Sequence, residues 1–493
     1  MNRKKEKSIK YNFIMNAILS VSSIVFPLIT FPYVSRVLLP EGTGKVTFAT
    51  SLIYYFLMIA QLGIPTYGVS VCAKVRDDRE KLSRVVHELL IINLIMTAVA
   101  YAALAVTLFC FPVFYAERPL YLLMSLTILF DAMAMEWMYK ALEQYDYITV
   151  RSLIFRTVAL IATFVLVHST DDYHIYGAIT LFSTVAAGIF NFVNARKYIE
   201  FRYLGGYDIR SHLKPVVVFF LIVCASAIYT HMDTLMLGLI KSEAHVGYYN
   251  VSVKVRNILV GVVAALGTVL LPRTSYYVEQ GMMAEFRAIC SKALRFVWIL
   301  AVPLGLFFVL YAKECVLILS GPEYAASVLP MQILMPTLLF IGIGNIFGVQ
   351  MLVPLGKEKT ILISEAVSAA VNVTVNSLLI PKYGVLGAAV GTLIAELLVT
   401  TIQGFALKAY VVDMFAALPY AKTLLAFLVA AAGSLWIKLL GLGHEITFIF
   451  GAFLFFAEYF VMLLVTKEPF VLSTLTQVLD MAGKLLEKIG LRK

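Results

Sequence analysis

The sequence predicts an all-α integral membrane protein of about fourteen transmembrane helices, on three observations: composition, the spacing of apolar runs and the placement of positive charge. Of 493 residues, 61% are hydrophobic and 14% charged, too little polar surface for a soluble domain of this size. Tyrosine at 27 and phenylalanine at 33 suit lipid-facing surfaces and interfacial belts. A spanning helix needs about 20 mostly apolar residues. Such runs lie near 12–38, 46–72, 84–111, 119–139, 148–168, 174–195, 215–240, 246–271, 288–311, 328–353, 360–380, 384–407, 421–440 and 445–466. Alternate connections, with the two ends, hold thirty Lys and Arg, whereas the others hold only Lys45, Arg118, Lys241, Lys313, Lys382 and Lys438. The positive-inside rule therefore puts the first set, and both termini, in the cytoplasm.

Taken in order, the basic opening MNRKKEKSIK precedes an apolar region too long for a signal-peptide core, so it reads as an uncleaved first span. That span carries Pro27, Pro32 and Arg36. Two prolines five apart remove ladder donors and predict a bend, a hinge or a static kink, with Ser20, Ser22 and Ser23 placed to satisfy freed carbonyls. Repeats organise the rest. The stretch YGAITLFSTVAAGIFNFVNARKY resembles LGAAVGTLIAELLVTTIQGFALKAY; RVLLPEGTGKVTFATS resembles LIKSEAHVGYYNVSVK; and DREKLSRVVHELL resembles MAEFRAICSKALR. These pairs sit 203 to 212 residues apart in one order, which predicts parallel six-helix lobes at 1–205 and 206–410. Two further helices follow at 411–466. The tail, 467–493, steps Leu472, Leu475, Leu479, Ala482, Leu486 and Ile489 along one face, predicting a cytoplasmic amphipathic helix.

No catalytic motif is present. Five scattered cysteines have neither disulfide nor metal spacing. The run GIGNIFG lacks nucleotide-loop spacing and lies in a span, where its glycines, like Gly387 and Gly391, permit close helix approach. Asp171 and Asp172 beside His174 read as a solvated loop rather than a site. Ionisable residues inside spans carry more weight, because each costs about 2.5 to 3.5 kcal/mol at the bilayer centre. Arg36, Arg156, Lys254 and Arg256 are the candidate substrate-binding cations. Asp131, Asp233, Glu365 and Glu396 are candidates for ion coupling or ion pairing. Equal depth suggests Asp131 with Arg156, and Asp233 with Lys254 or Arg256, either as structural pairs or as parts of a cavity. No metal and no cofactor is expected. Guanidinium forks match phosphate oxygens, so a cationic cavity suits a phosphate-bearing substrate.

Pro27 to Gly68, then AKVRDDREKL and EWMYKALEQYDYITVRS, and DTLMLGLIKSEAHVGYYNVSVKV in the second half, resemble the Wzx-type polysaccharide-unit flippases of the multidrug/oligosaccharidyl-lipid/polysaccharide exporter superfamily. The resemblance implies fourteen helices, two lobes and alternating access. It implies transfer of undecaprenyl-diphosphate-linked oligosaccharide across a bacterial plasma membrane for surface polysaccharide synthesis. Expected partners are that lipid-linked sugar, membrane lipids, and a polysaccharide polymerase with other assembly proteins; nucleic acid is not among them. Two alternatives stay open. A cation-coupled multidrug exporter on the same fold would need an acidic cavity, and a membrane glycosyltransferase or polymerase would need a large outer loop or a carboxylate motif.

Overall fold

The computed structural model describes residues 9–476 and residue 480. The basic opening, residues 1–8, and most of the amphipathic tail, Leu479 to Ile489 included, lie outside the described residues; 469–476 is helical. Eighteen α-helices follow one another among the described residues. The first nine are α1 (Ile9–Gln61), α2 (Ile64–Lys74), α3 (Arg79–Cys110), α4 (Arg118–Ala134), α5 (Glu136–Ala141), α6 (Tyr145–Leu166), α7 (Tyr173–Ala195), α8 (Ile209–Ile240) and α9 (Glu243–Glu279). The others are α10 (Met283–Leu310), α11 (Ala312–Ser320), α12 (Val328–Leu334), α13 (Thr337–Asn345), α14 (Glu358–Tyr383), α15 (Val385–Ala406), α16 (Lys408–Ala416), α17 (Tyr420–Leu435) and α18 (His444–Val465). A π-helical turn, Ile346–Leu352, continues α13.

Ten helical stretches are long and apolar enough to cross a membrane among the described residues, eleven if one bent pair counts as a span. One of the ten, Ile14–Lys74, has 61 residues. At about 1.5 Å per residue it far exceeds a hydrocarbon core of about 30 Å. Its backbone leaves helical geometry at Leu39 (φ 59, ψ 177), and Pro40 follows, where a proline opens a new helix at no hydrogen-bond cost. Leu39, not Pro27 or Pro32, is the non-helical residue of α1. The serines expected to serve the freed carbonyls serve earlier ones: Ser20 donates to Asn16 O, Ser22 to Leu19 O and Ser23 to Ser20 O. The carbonyls the two prolines free belong to Ser23 and Leu28, four residues back.

The chain divides into two compact units. The first holds residues 1–250, 319–323 and 376–385; the second holds the rest. In the first unit α2, α3, α5 and the ends of α6 and α7 share an apolar core around Ile64, Leu89, Met138 and Ile148. Elsewhere in this unit two glycines a repeat apart meet. A Cβ on Gly44 would lie 1.8 Å from Glu243 O, and a Cβ on Gly247 2.1 Å from Pro40 O. Each glycine thus sits against the carbonyl four residues before the other, a reciprocal crossing that admits no side chain. In the second unit one core gathers Phe286, Leu294, Phe347 and Met351, and another packs α10 on α17 and α18 through Phe307, Tyr311, Phe455 and Tyr459. Gly342 of the GIGNIFG run accepts Val297 and Val263, whose methyls would lie 2.6 and 2.8 Å from a Cβ.

Candidate functional site

Two interruptions in the helices of the first unit create its polar centre. α1 ends where Leu62 and Gly63 take positive φ (44 and 74). Gly63 has no alternative, since a Cβ would come within 2.8 Å of the α8 backbone at Val216 O. Between α4 and α5, Met135 is left-handed (φ 43, ψ 37) and fully buried, a conformation unusual for a long side chain. Each break frees carbonyls at membrane depth, where water is scarce. An asparagine meets each: Asn93 Nδ2 donates to Ala60 O at 3.2 Å, and Asn191 Nδ2 to Ala134 O at 2.6 Å.

Around these breaks lies a cavity of about 330 Å³, whose charged walls are Asp131 from α4, Glu136 and Lys140 from α5, and Arg151 and Arg156 from α6. Gln61, Asn93, Ser152, Ser183 and Thr184 add neutral hydrogen-bonding groups, and Trp137 and Phe155 add aromatic faces. The charges are arranged, not scattered. Glu136 takes Lys140 at 3.0 Å and Arg151 at 3.3 Å. Arg151, 6% exposed, also donates to Asn191 Oδ1, so one amide ties the broken end of α4 to the cation of α6. Tyr139 closes the set by donating to Asn191 O at 2.5 Å.

Asp131 and Arg156 both line this cavity, yet they are not the ion pair their depth suggested. Asp131 accepts from Gln61 Nε2 at 2.6 Å. Arg156 is anchored through Nη1 to Leu19 O at 3.2 Å and to Ser22 Oγ. The reason is directional: each has a nearer neutral partner on α1, which leaves one Asp131 oxygen and the rest of the guanidinium for the cavity.

The other expected residues lie elsewhere. Arg36 is exposed, with Nη1 donating to Pro32 O at 2.9 Å. Asp233 is buried and accepts from Tyr249 OH at 2.7 Å and from Asn376 Nδ2. Lys254 and Arg256 are half-buried on α9, and Arg256 donates to Asn257 Oδ1 at 3.2 Å. Glu365 is half-buried on α14, and Glu396 is buried on α15. In the Asp171–Asp172 loop, Asp172 Oδ2 takes the backbone N–H groups of His168 and Ser169, both at 2.8 Å, and so works as a cap.

Sequence reasoning passed over Arg151 and Lys140 by counting both in a connection. They stand in α6 and α5 and line the cavity. The available signal was Glu136 and Lys140 at i and i+4 in the stretch that closes a span. Asn93 and Asn191, amides in the middle of apolar runs, were the other clue.

Residues 9–278 match the family model described as "Polysaccharide biosynthesis protein". An Escherichia coli (strain K12) protein named "Putative O-antigen transporter" is 23% identical over 398 residues, covering 80% of this chain and 96% of that protein. Among solved structures, "Lipid II flippase MurJ, inward closed conformation" superposes with a TM-score of 0.72 at 15% identity, covering 92% of this chain and 100% of that one. An inward-facing multidrug resistance MATE family transporter reaches a TM-score of 0.63 at 14% identity, covering 80% and 95%. At such identities the two structures speak for the fold alone.

Proposed function

The chain belongs to the polysaccharide biosynthesis family of Wzx-type flippases in the multidrug/oligosaccharidyl-lipid/polysaccharide exporter superfamily, and from that premise we propose that it carries undecaprenyl-diphosphate-linked oligosaccharide outward across the bacterial plasma membrane. It is a multi-pass membrane transporter and not an enzyme. Fourteen spans in two six-helix lobes with two added helices, both termini cytoplasmic, are part of the same proposal. The reciprocal crossing of Gly44 and Gly247 supports it, since the glycine of each half meets the carbonyl of the other and the equivalent positions, 40 with 243 and 44 with 247, are each 203 residues apart.

The observation that carries the reading is the cavity of the first unit. A sugar presents hydroxyls that each need a partner once stripped of water. Asp131 supplies an acceptor, Arg156 a donor fork, and Ser152, Ser183, Thr184 and Asn93 supply groups of both kinds, while Trp137 and Phe155 offer apolar faces. Three cations stand against two carboxylates there, a balance that suits an anionic substrate better than a cationic drug. We assign glycan recognition to Asp131 and Arg156. Arg36, Lys254 and Arg256 are assigned as substrate-binding cations, each of a kind that binds phosphate oxygens through charge-assisted hydrogen bonds. Pro27 and Pro32 are assigned to bending of the first span during alternating access. Moving negative charge outward gains about 2.3 kcal/mol per charge per 100 mV of inside-negative potential, so potential alone biases export.

Proteoliposomes holding the full chain and a fluorescent undecaprenyl-diphosphate oligosaccharide test the reading. Sugar should become accessible to an external quencher in vesicles with wild-type protein and stay protected with Arg156→Gln. Equal accessibility in protein-free vesicles would contradict it.

A further inference from the structure

The turn that joins α3 to α4 in the first unit holds a cation at an apolar edge. Its buried aromatic, Phe114, anchors it to the unit by meeting the rings of Phe48 and Tyr121, with centroids 6.5 and 5.8 Å away. The side chains around that anchor face outward: Phe109, Phe111, Val113 and Tyr115 are all 45% exposed or more. Because α3 is long and apolar enough to span, the turn stands where that helix leaves the hydrocarbon, on the outer side in the topology proposed above.

A helix end leaves carbonyls without partners, and Tyr115 and Arg118 supply them for α3. Tyr115 OH donates to Phe109 O at 2.8 Å, and Arg118 Nε donates to Leu108 O at 2.8 Å. The Arg118 guanidinium also lies against two rings, 3.6 Å from the Tyr115 centroid and 4.8 Å from that of Phe109. Rings and carbonyl hold the group in place, so it has little freedom left to lose on binding. Capping uses Nε alone and leaves the fork of Nη1 and Nη2. The protein supplies no counter-ion for that fork. Glu117, the neighbouring carboxylate, is buried and taken by Lys45 Nζ at 2.9 Å and by Tyr173 OH at 3.0 Å. Among the described residues Arg118 has no ion pair, and its Nη1 and Nη2 meet no protein acceptor.

We propose that this turn binds the phosphate of a membrane lipid, with Arg118 Nη1 and Nη2 clasping two of its oxygens and Phe109, Phe111 and Val113 lying along its acyl chains. A guanidinium fork matches phosphate oxygens two at a time. The apolar rim decides between a lipid and a free anion. Soluble phosphate would engage the fork and leave the exposed rings and Val113 uncovered, whereas a phosphate carried on hydrocarbon chains meets both surfaces at once. A lipid so held pins the joined ends of α3 and α4 at headgroup depth. The site is separate from the cavity assigned to the glycan, whose walls include none of these residues. It takes from the flippase reading only the side of the membrane.

A photocrosslinking amino acid at position 113 of the full chain tests the proposal, in phosphatidylcholine vesicles carrying equal trace amounts of phosphatidylglycerol and of a diacylglycerol with the same chains. Adducts read by mass spectrometry should favour phosphatidylglycerol by about tenfold, the scale of one hydrogen bond to a charged group. That preference should vanish in Arg118→Gln and survive in part in Arg118→Lys, which keeps the charge without the fork. The same amino acid at position 95, where the exposed Ile95 stands in the middle of α3, should show no preference that depends on Arg118. Equal yields of the two lipids at position 113 in otherwise wild-type protein would overturn the proposal, whatever the variants do. A preference unchanged in Arg118→Gln would overturn it as well. Inorganic phosphate in large excess, at constant ionic strength, should leave the adducts as they are; loss of the preference there would give the site to a free anion and not to a lipid. No arm reads export, so the outcome is independent of whether the chain is a flippase.

Discussion

The polar centres of the two units use opposite chemistry. The first keeps five fixed charges around a cavity, three of them in one network of Glu136, Lys140 and Arg151. The second runs a narrow seam of buried amides and hydroxyls along α14 and α15, Ser364, Ser368, Asn372, Thr400 and Gln403, with Glu396 its single charge-bearing member among the described residues. Charges in a membrane must be paired or must serve something, and the pairing is costly to break. Neutral amides tolerate substitution better, because loss of both partners of a hydrogen bond is nearly neutral. The first unit should therefore be brittle and specific, the second adaptable.

The sharpest way to break that contrast is Arg151→Met. It strands the buried Asn191 Oδ1 and removes one of the two cations on the half-exposed Glu136, and leaving a buried acceptor without its donor costs about 1 to 3 kcal/mol. Membrane abundance and melting temperature should both fall, and Arg151→Met with Glu136→Gln should recover part of the loss. A singly substituted protein with wild-type melting would place the network's charges in water. Asp131→Asn should act differently, since the amide keeps a bond to Gln61 and fills the same volume. Abundance should hold while export drops by about tenfold, a loss of about 1.4 kcal/mol of transition-state interaction, as read in the quencher assay.

In the second unit, Gln403→Leu removes a donor to Ser364 and an orphaned acceptor together. A stability change of about 1 kcal/mol or less is expected, measured by thermal unfolding in detergent. A loss as large as that of Arg151→Met would erase the distinction between the units. The smallest effect belongs to the exposed turn before α3. Asp78 caps that helix by accepting from the backbone N–H groups of Lys81 and Glu80, which hold its carboxyl below the usual carboxylate range. A depressed value means its contribution is present above the unfolded carboxylate value, about 3.9, and is lost as pH falls through the folded one. Asp78→Ala should therefore lower stability slightly at pH 7 and hardly at all at strongly acid pH, where wild type has lost the cap as well.

Much of this fold was legible because apolar length and repeat spacing are sequence properties. The run from Ile14 to Lys74 and the 203-residue offset of Gly44 and Gly247 need no tertiary knowledge to see. The site was legible only in part. Asp131 and Arg156 stood out as charges inside spans, but their partners, Gln61, Leu19 O and Ser22, lie on α1, and sequence depth does not say which neighbour a side chain faces. Met135 hid the rest. A methionine carries no signal for a left-handed break, so span four read as ending near Tyr139, and Lys140 and Arg151 fell into a connection instead of a cavity wall.

The central claim is that the cavity of the first unit receives the glycan, and a photocrosslinking amino acid tests it most directly. Thr184 lines the cavity, and Ile189, 44% exposed, stands on the same helix away from its lining. With a radiolabelled undecaprenyl-diphosphate oligosaccharide in the membrane, irradiation should give a sugar adduct from position 184 that disappears in the Arg156→Gln background. Position 189 should give none that depends on Arg156. Adducts of equal yield at both positions, unchanged by Arg156→Gln, would contradict the claim.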